Sequence, residues 1–386
     1  MTALPIGSGV TIPYRYLTRH AGIFGATGTG KTTTLGAIAE RAPCPVVIFD
    51  AKSDLESLGR LHRPAMRVDA MGADFISRAL DLSPAQSGAL QIALAWADDC
   101  SREVVTLADL RSLLNDAMRH DLSADYGLMS PLSVSAVQRT LLRLERAAPW
   151  AFAIDPFDIR DASGINVYAC SDLASVPGLY GAFVAHKLDS LYRGLGELGD
   201  VAAPGLLIMI DEAHLLFDGA TSEIVSRLEQ VTRLIRSKGV GLIYVTQTPL
   251  DLPDAIAGQL ATRIQHALRG ATERQRKEIR GAAETMPGNV TVGDVLNLGT
   301  GEALVSVPDA SGRPLPARQV RIERGVVPLH SVGLPPLPPA RPRMAASDDF
   351  QPDWTPERPK ASPWWRWPLI VAIVLYGMVA LGNVFA

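Results

Sequence analysis

The run Gly25-Ala26-Thr27-Gly28-Thr29-Gly30-Lys31-Thr32 places three glycines, a lysine and a hydroxyl at the spacing that cradles phosphate groups. Glycines at 25, 28 and 30 let the backbone turn its N–H groups inward around phosphate oxygens, where a side chain would collide. Lys31 is expected to reach the β and γ phosphates of ATP, and the Thr32 hydroxyl is an oxygen ligand of the kind Mg2+ prefers. The expected nucleotide contact runs from Gly25 through Thr33.

A second group of candidates supplies the carboxylates that such chemistry needs. Asp211 and Glu212 follow the wholly apolar run Leu206-Leu207-Ile208-Met209-Ile210. Asp211 is expected to hold the Mg2+ shell, and Glu212 to orient and deprotonate the attacking water. A surface acidic pair capping the next helix is the bland alternative. Gln247 closes a further apolar run and could sense the γ-phosphate or position water, with a polar strand cap as its alternative. Arg236, just ahead of that run, is either an arginine finger offered to a neighbouring subunit or an ordinary exposed arginine. Asp50 and Lys52 place an acid and a base at the same edge without a stated task. Arg269, Arg274, Arg276, Lys277 and Arg280, offset by Glu273 and Glu278, read as a solvated helical face rather than a DNA patch.

These residues need elements to hold them. Short apolar runs ending in polar residues predict strands at Ala21 to Phe24, Pro45 to Phe49, Ile165 to Ala169, Leu206 to Ile210, Gly241 to Thr246 and Arg263 to Leu268. Helices are expected from Lys31, Leu179, Ser222, Pro253 and Thr272. Strands alternating with helices mean an α/β domain with a mainly parallel sheet, over residues 1–325. Between about 75 and 146 leucines recur at helical spacing with no strand, which predicts an all-helical insertion.

The formal net charge of −3 excludes a global cationic field that would draw the chain onto nucleic acid. Cys44, Cys100 and Cys170 stand apart, with no paired spacing that would suggest zinc or a disulfide framework. Residues 326–363 are rich in proline and read as an extended linker, with a proline-dependent ligand segment as the alternative. From Pro368 to Ala386 the chain has 19 residues without a charge, enough at helical rise for roughly 28 Å. Trp364, Trp365 and Trp367, with Arg366, Lys360 and Arg358 ahead of the apolar run, match an interfacial belt. Residues 364–386 are therefore expected to anchor the protein in a membrane, with the ATPase domain in the cytoplasm. A buried C-terminal helix is the alternative.

The runs FGATGTGKTTTL and IDEAHLLF, and above all LEQVTRLIRSKGVGLIYVTQTPLDLPDAIAGQLATRIQHALRG, resemble the HerA-like branch of the HerA/FtsK ATPases. The likeness extends from about Leu17 to about Val307. It implies a RecA-like core assembled as a hexameric homo-oligomer, with ATP bound between subunits and DNA passing through the pore. It also implies that Lys31 and Thr32 contact phosphate and Mg2+, Asp211 and Glu212 are the metal-holding and catalytic acids, and Gln247 is the sensor. Arg236 matches the arginine that acts across the subunit interface, while Arg263 and Arg269 match basic positions of the following strand. The proline-rich linker and apolar tail depart from the family pattern, so an ATPase powering protein transport or a membrane complex, with protein partners at the membrane, or a slow nucleotide-dependent switch, stands beside the DNA motor as an alternative.

Overall fold

The computed structural model describes residues 3–270 and 272–325. The expected linker over 326–363 and the anchor over 364–386 lie outside the described residues. Among the described residues no helix is long and apolar enough to cross a membrane.

The chain opens with a hairpin, β1 (Ala3–Gly7) against β2 (Val10–Pro13), paired antiparallel. The main sheet is built from β3 (Ala21–Phe24), β4 (Val46–Asp50), β5 (Arg60–His62), β6 (Ile165–Ala169), β7 (Leu206–Ile210), β8 (Val240–Thr246), β9 (Thr262–His266), β10 (Glu302–Ser306) and β11 (Arg318–Arg321). Their spatial order is β11-β10-β9-β3-β8-β7-β4-β6-β5. From β9 to β5 all neighbours run parallel, and β10 and β11 add an antiparallel edge. The fold is thus α/β with a mostly parallel sheet, as expected.

The central strands are buried on both faces, which is why β4, β7 and β8 read as continuous apolar runs rather than alternating ones. Successive residues still point to opposite sides. Ile208, Ile210, Leu242 and Tyr244 join one core with Phe183 and Leu188 of the helix Leu179–Gly194. Leu207, Met209, Ile243 and Val245 join another with Leu35 and Ile38 of the helix Lys31–Arg41, where Leu4, Ile6 and Ile12 of the hairpin also pack.

The insertion consists of the helices Val68–Ala79, Pro84–Asp99, Leu107–Arg119 and Pro131–Ala147, between β5 and β6. It begins before the expected residue 75, because Phe75 lies inside its first helix. That helix is interrupted at Gly72, whose φ of 74° breaks the helical path. Capping boxes at Ser83–Gln86 and Thr106–Asp109 open the second and third helices.

Candidate nucleotide site

The sheet register decides which residues meet. Phe24 of β3 stands opposite Thr246 of β8, Ile210 of β7 opposite Tyr244, and Phe49 of β4 opposite Ile210. The loops after these four strands therefore leave the same edge of the sheet, at the carboxyl ends where open α/β sheets form their ligand crevice.

The loop after β3 is held as an arc from three directions. Gly25 N–H donates to Gln247 O at 2.9 Å, Ala26 N–H to Ala267 O at 2.9 Å, and Gly301 N–H to Thr29 O at 2.9 Å. A Cβ at Gly25, where φ is +150°, would meet His266 Cβ at 2.5 Å; one at Gly28 would meet nothing within 4 Å. Thr27 and Gly28 form the exposed crest, and Thr32 and Thr33 lie half-buried on the first turn of the helix Lys31–Arg41. The Lys31 ammonium, 6% exposed, donates to Gly25 O at 2.7 Å and Ala26 O at 3.3 Å. Burial lowers its proton affinity.

Beneath the arc lies His266. Its Nδ1 lies 2.9 Å from Glu302 O, and its Nε2 lies 2.9 Å from Thr34 Oγ1. A carbonyl can only accept, so Nδ1 carries the proton and Nε2 receives the threonine hydroxyl. Burial pushes the imidazole down to about 4, which keeps it neutral.

Across the crevice, Asp211 is 5% exposed and Glu212 3% exposed. Asp211 N–H donates to Phe49 O at 3.0 Å. Burial, with the Glu212 and Asp50 charges added, pushes the Asp211 carboxyl up to about 7. Glu212 adopts a left-handed backbone, φ 44° and ψ 52°, which turns its side chain off the strand direction. Its Oε1 forms an ion pair with Lys52 Nζ. Its Oε2 is buried without a hydrogen bond, although His214 Nδ1 stands 3.3 Å away. Asp50, fully buried, accepts from Lys52 N–H at 3.0 Å and Leu55 N–H at 2.8 Å. It pins the turn that carries Lys52.

Gln247 is exposed beside the arc, and Thr246 Oγ1 donates to Asp251 at 2.9 Å. A polar cleft of about 230 Å3 adjoins them, lined among others by Ala26, His214, Gln247, Arg269 and Arg274.

Arg236 is not brought to this edge. It precedes β8, whose seven residues at about 3.3 Å each carry the chain roughly 20 Å to Gln247. There it pairs with Asp200 and, with Arg19, Arg233 and Arg263, lines a cleft of about 510 Å3. Arg263 is tied to backbone, donating to Thr285 O, Ala257 O and Leu260 O.

The family model for the helicase HerA-like C-terminal domain matches residues 2–70 and 60–352. The chain belongs to this HerA-like family. No curated protein matches its sequence. Among solved structures, the bacterial conjugative coupling protein TrwBdeltaN70 in complex with sulphate is 16% identical, with a TM-score of 0.60 over 85% of this chain and 89% of that one. VirB4 of Thermoanaerobacter pseudethanolicus is 16% identical, with a TM-score of 0.57 over 84% of this chain and 96% of that one. TrwB in complex with the non-hydrolysable ATP analogue ADPNP is 16% identical, with a TM-score of 0.60 over 85% and 90%. The HerA-like chain shares with them the RecA-like α/β fold.

Sequence reasoning missed His266 and His214, and left Lys52 without its partner. The segment Asp50-Ala51-Lys52-Ser53-Asp54 drew attention as an acid and a base at the phosphate edge, but only the β4–β7 pairing brings Lys52 to Glu212. Nothing in the sequence marks His266, because its contact with Thr34 behind the loop joins residues far apart in the chain.

Proposed function

We propose that the protein is an ATP-hydrolysing ring motor acting on DNA and tethered to a membrane by its C-terminus. The observation that carries the ATPase reading is the meeting of the glycine arc with Asp211 and Glu212 at one sheet edge, with Glu212 Oε2 buried and unbonded. The residues fit a nucleotide with Mg2+. The arc turns at the positive-φ residues Gly25, Gly28 and Gly30, Lys31 supplies a cation, and Thr32 and Asp211 supply oxygen ligands. An Asp211 carboxyl pushed up to about 7 by burial calls for either a proton or a cation beside it. Bound Mg2+ would supply charge stabilisation for the transferring phosphoryl group.

In this reading Lys31 leaves the Gly25 and Ala26 carbonyls for phosphate, and Glu212 takes the proton of the attacking water through Oε2. Gln247 senses the phosphate from the end of β8. Arg236, roughly 20 Å from its own arc, serves a neighbouring subunit's nucleotide, which requires a ring or similar assembly. Support for DNA comes from the family and from the coupling protein TrwB. Support for the membrane comes from the uncharged run 368–386 and its tryptophan flank. The net charge of −3 favours a second reading, a motor for a protein complex at the membrane.

The test is steady-state ATP hydrolysis by the full chain in detergent at low salt, with and without double-stranded DNA, using Glu212→Gln as the blank. Several-fold stimulation by DNA is expected. Turnover indifferent to DNA retains the ATPase and overturns the DNA reading in favour of protein partners.

A further inference from the structure

We propose that Lys52 is a positioning residue for the Glu212 carboxylate, its ammonium holding Oε1 and leaving the unbonded Oε2 as the oxygen that acts as base. The inference rests on the reading of Glu212 as the general base. Three observations carry it. Lys52 leaves β4 and Glu212 leaves β7, neighbours whose registered ends start both loops level. The turn bearing Lys52 is fixed rather than loose: the buried Asp50 carboxylate takes two of its N–H groups, Ser53 holds a φ of +62°, and Ser53 Oγ donates to Ser171 Oγ at 2.9 Å. Glu212 holds a left-handed backbone that non-glycine residues seldom keep unless their surroundings over-determine it.

The two lysines of the crevice divide the work. Lys31 Nζ is engaged by the Gly25 and Ala26 carbonyls, whereas Lys52 Nζ engages Glu212. With Oε1 taken by the ammonium, Oε2, buried without a hydrogen bond and 3.3 Å from His214 Nδ1, is the oxygen left to accept a proton. Without Lys52 the buried Glu212 carboxylate would lose its ion-pair partner while the Asp211 charge stays near it, and Oε1 would no longer be held. Charge and direction would be lost together.

The experiment measures ATP hydrolysis by full-length wild type, Lys52→Met, Lys52→Arg and Glu212→Gln, with the affinity for a fluorescent ATP analogue measured on the same preparations. Lys52→Met should lower kcat by about tenfold or more, as expected when a catalytic group loses its orientation. Its KM and analogue affinity should stay within about twofold of wild type, because ground-state nucleotide contacts are untouched. Lys52→Arg should keep most of the rate, since a guanidinium restores a charged donor. Lys52→Gln serves as a second variant, retaining a neutral donor should Met leave the buried carboxylate poorly accommodated. An unchanged kcat in both neutral variants overturns the proposal. So does a raised kcat, which would make Lys52 an inhibitory clamp, or a loss of analogue binding parallel to the loss of rate. A wild type that binds the analogue without hydrolysing ATP overturns the general-base reading itself and the present inference with it.

Discussion

At the scale of single residues, the phosphate arc separates glycines that are needed for space from those needed only for conformation. A methyl at Gly25 would have to displace His266 Cβ, a backbone-adjacent atom that cannot swing away, and φ there is +150°. A methyl at Gly28 meets no protein atom within 4 Å and incurs the strain of φ +78°, about 1–2 kcal/mol. Gly25→Ala should therefore abolish nucleotide binding and lower the melting temperature, while Gly28→Ala should still bind, with affinity reduced by roughly 30-fold or less. Equal losses in the two variants, measured by nucleotide titration, would contradict this ordering. The same scale separates binding from chemistry. Lys31→Ala should eliminate binding, whereas Glu212→Gln should bind ATP and lose about 10^2-fold or more in turnover. Normal turnover in either variant would refute the assigned site.

At the scale of elements, His20 shows how side chains lock the strands that carry the site. It precedes β3, donates from Nε2 to Thr232 O at 2.7 Å on the helix Ser222–Leu234, and accepts at Nδ1 from Leu242 N–H of β8 at 3.0 Å. Both bonds require the neutral ring, and burial pushes it from 6.5 to about 4. The folded state thus resists protonation that the unfolded chain accepts. This contribution is complete above about pH 6.5 and is lost as pH falls from there toward about 4. The unfolding free energy of the wild type, from urea titrations, should therefore fall more steeply between pH 7 and 5 than that of His20→Gln, by up to about 1.4 kcal/mol per pH unit. Parallel slopes would remove His20 from the account. The elements themselves were legible unevenly. The buried parallel strands declared themselves as apolar runs with bounds good to one or two residues, and the glycine motif placed the helix Lys31–Arg41. The hairpin β1–β2 did not: Leu4, Ile6 and Ile12 are its buried residues, but Pro5 and Pro13 read as strand breakers in so short a stretch. β5 and β11 are edge strands of three and four residues, and β11 buries only Val320, so neither carries a periodic signal. The candidate site was legible where it is local, as a contiguous phosphate loop or an acidic pair ending a strand. It was illegible where it depends on pairing between distant strands, as with Lys52 and Glu212 or His266 and Thr34.

At the scale of the whole molecule, one candidate belongs to no site within a single chain. Arg236 stands at the amino-terminal ends of the strands, a full strand length from the arc after β3, and no rotamer spans that distance. Its partner Asp200 is 83% exposed, and an exposed ion pair contributes little, so the guanidinium can exchange it for a stronger anion. A heterologous, head-to-tail ring would set this edge of one subunit against the phosphate edge of the next, making each complete site from two chains. Arg236→Ala and Lys31→Ala should then each be inactive alone for different reasons, one lacking the finger it gives and the other the lysine it uses. When the two are mixed one to one and allowed to exchange subunits, a quarter of the interfaces combine an intact Lys31 with an intact Arg236, so about a quarter of wild-type hydrolysis should return if sites act independently. Arg236→Ala mixed with wild type should instead lower activity in proportion to the interfaces that it occupies. A one-to-one mixture that stays inactive after exchange, verified by fluorescence transfer between labelled subunits, would confine Arg236 to its own chain, where it pairs with the exposed Asp200.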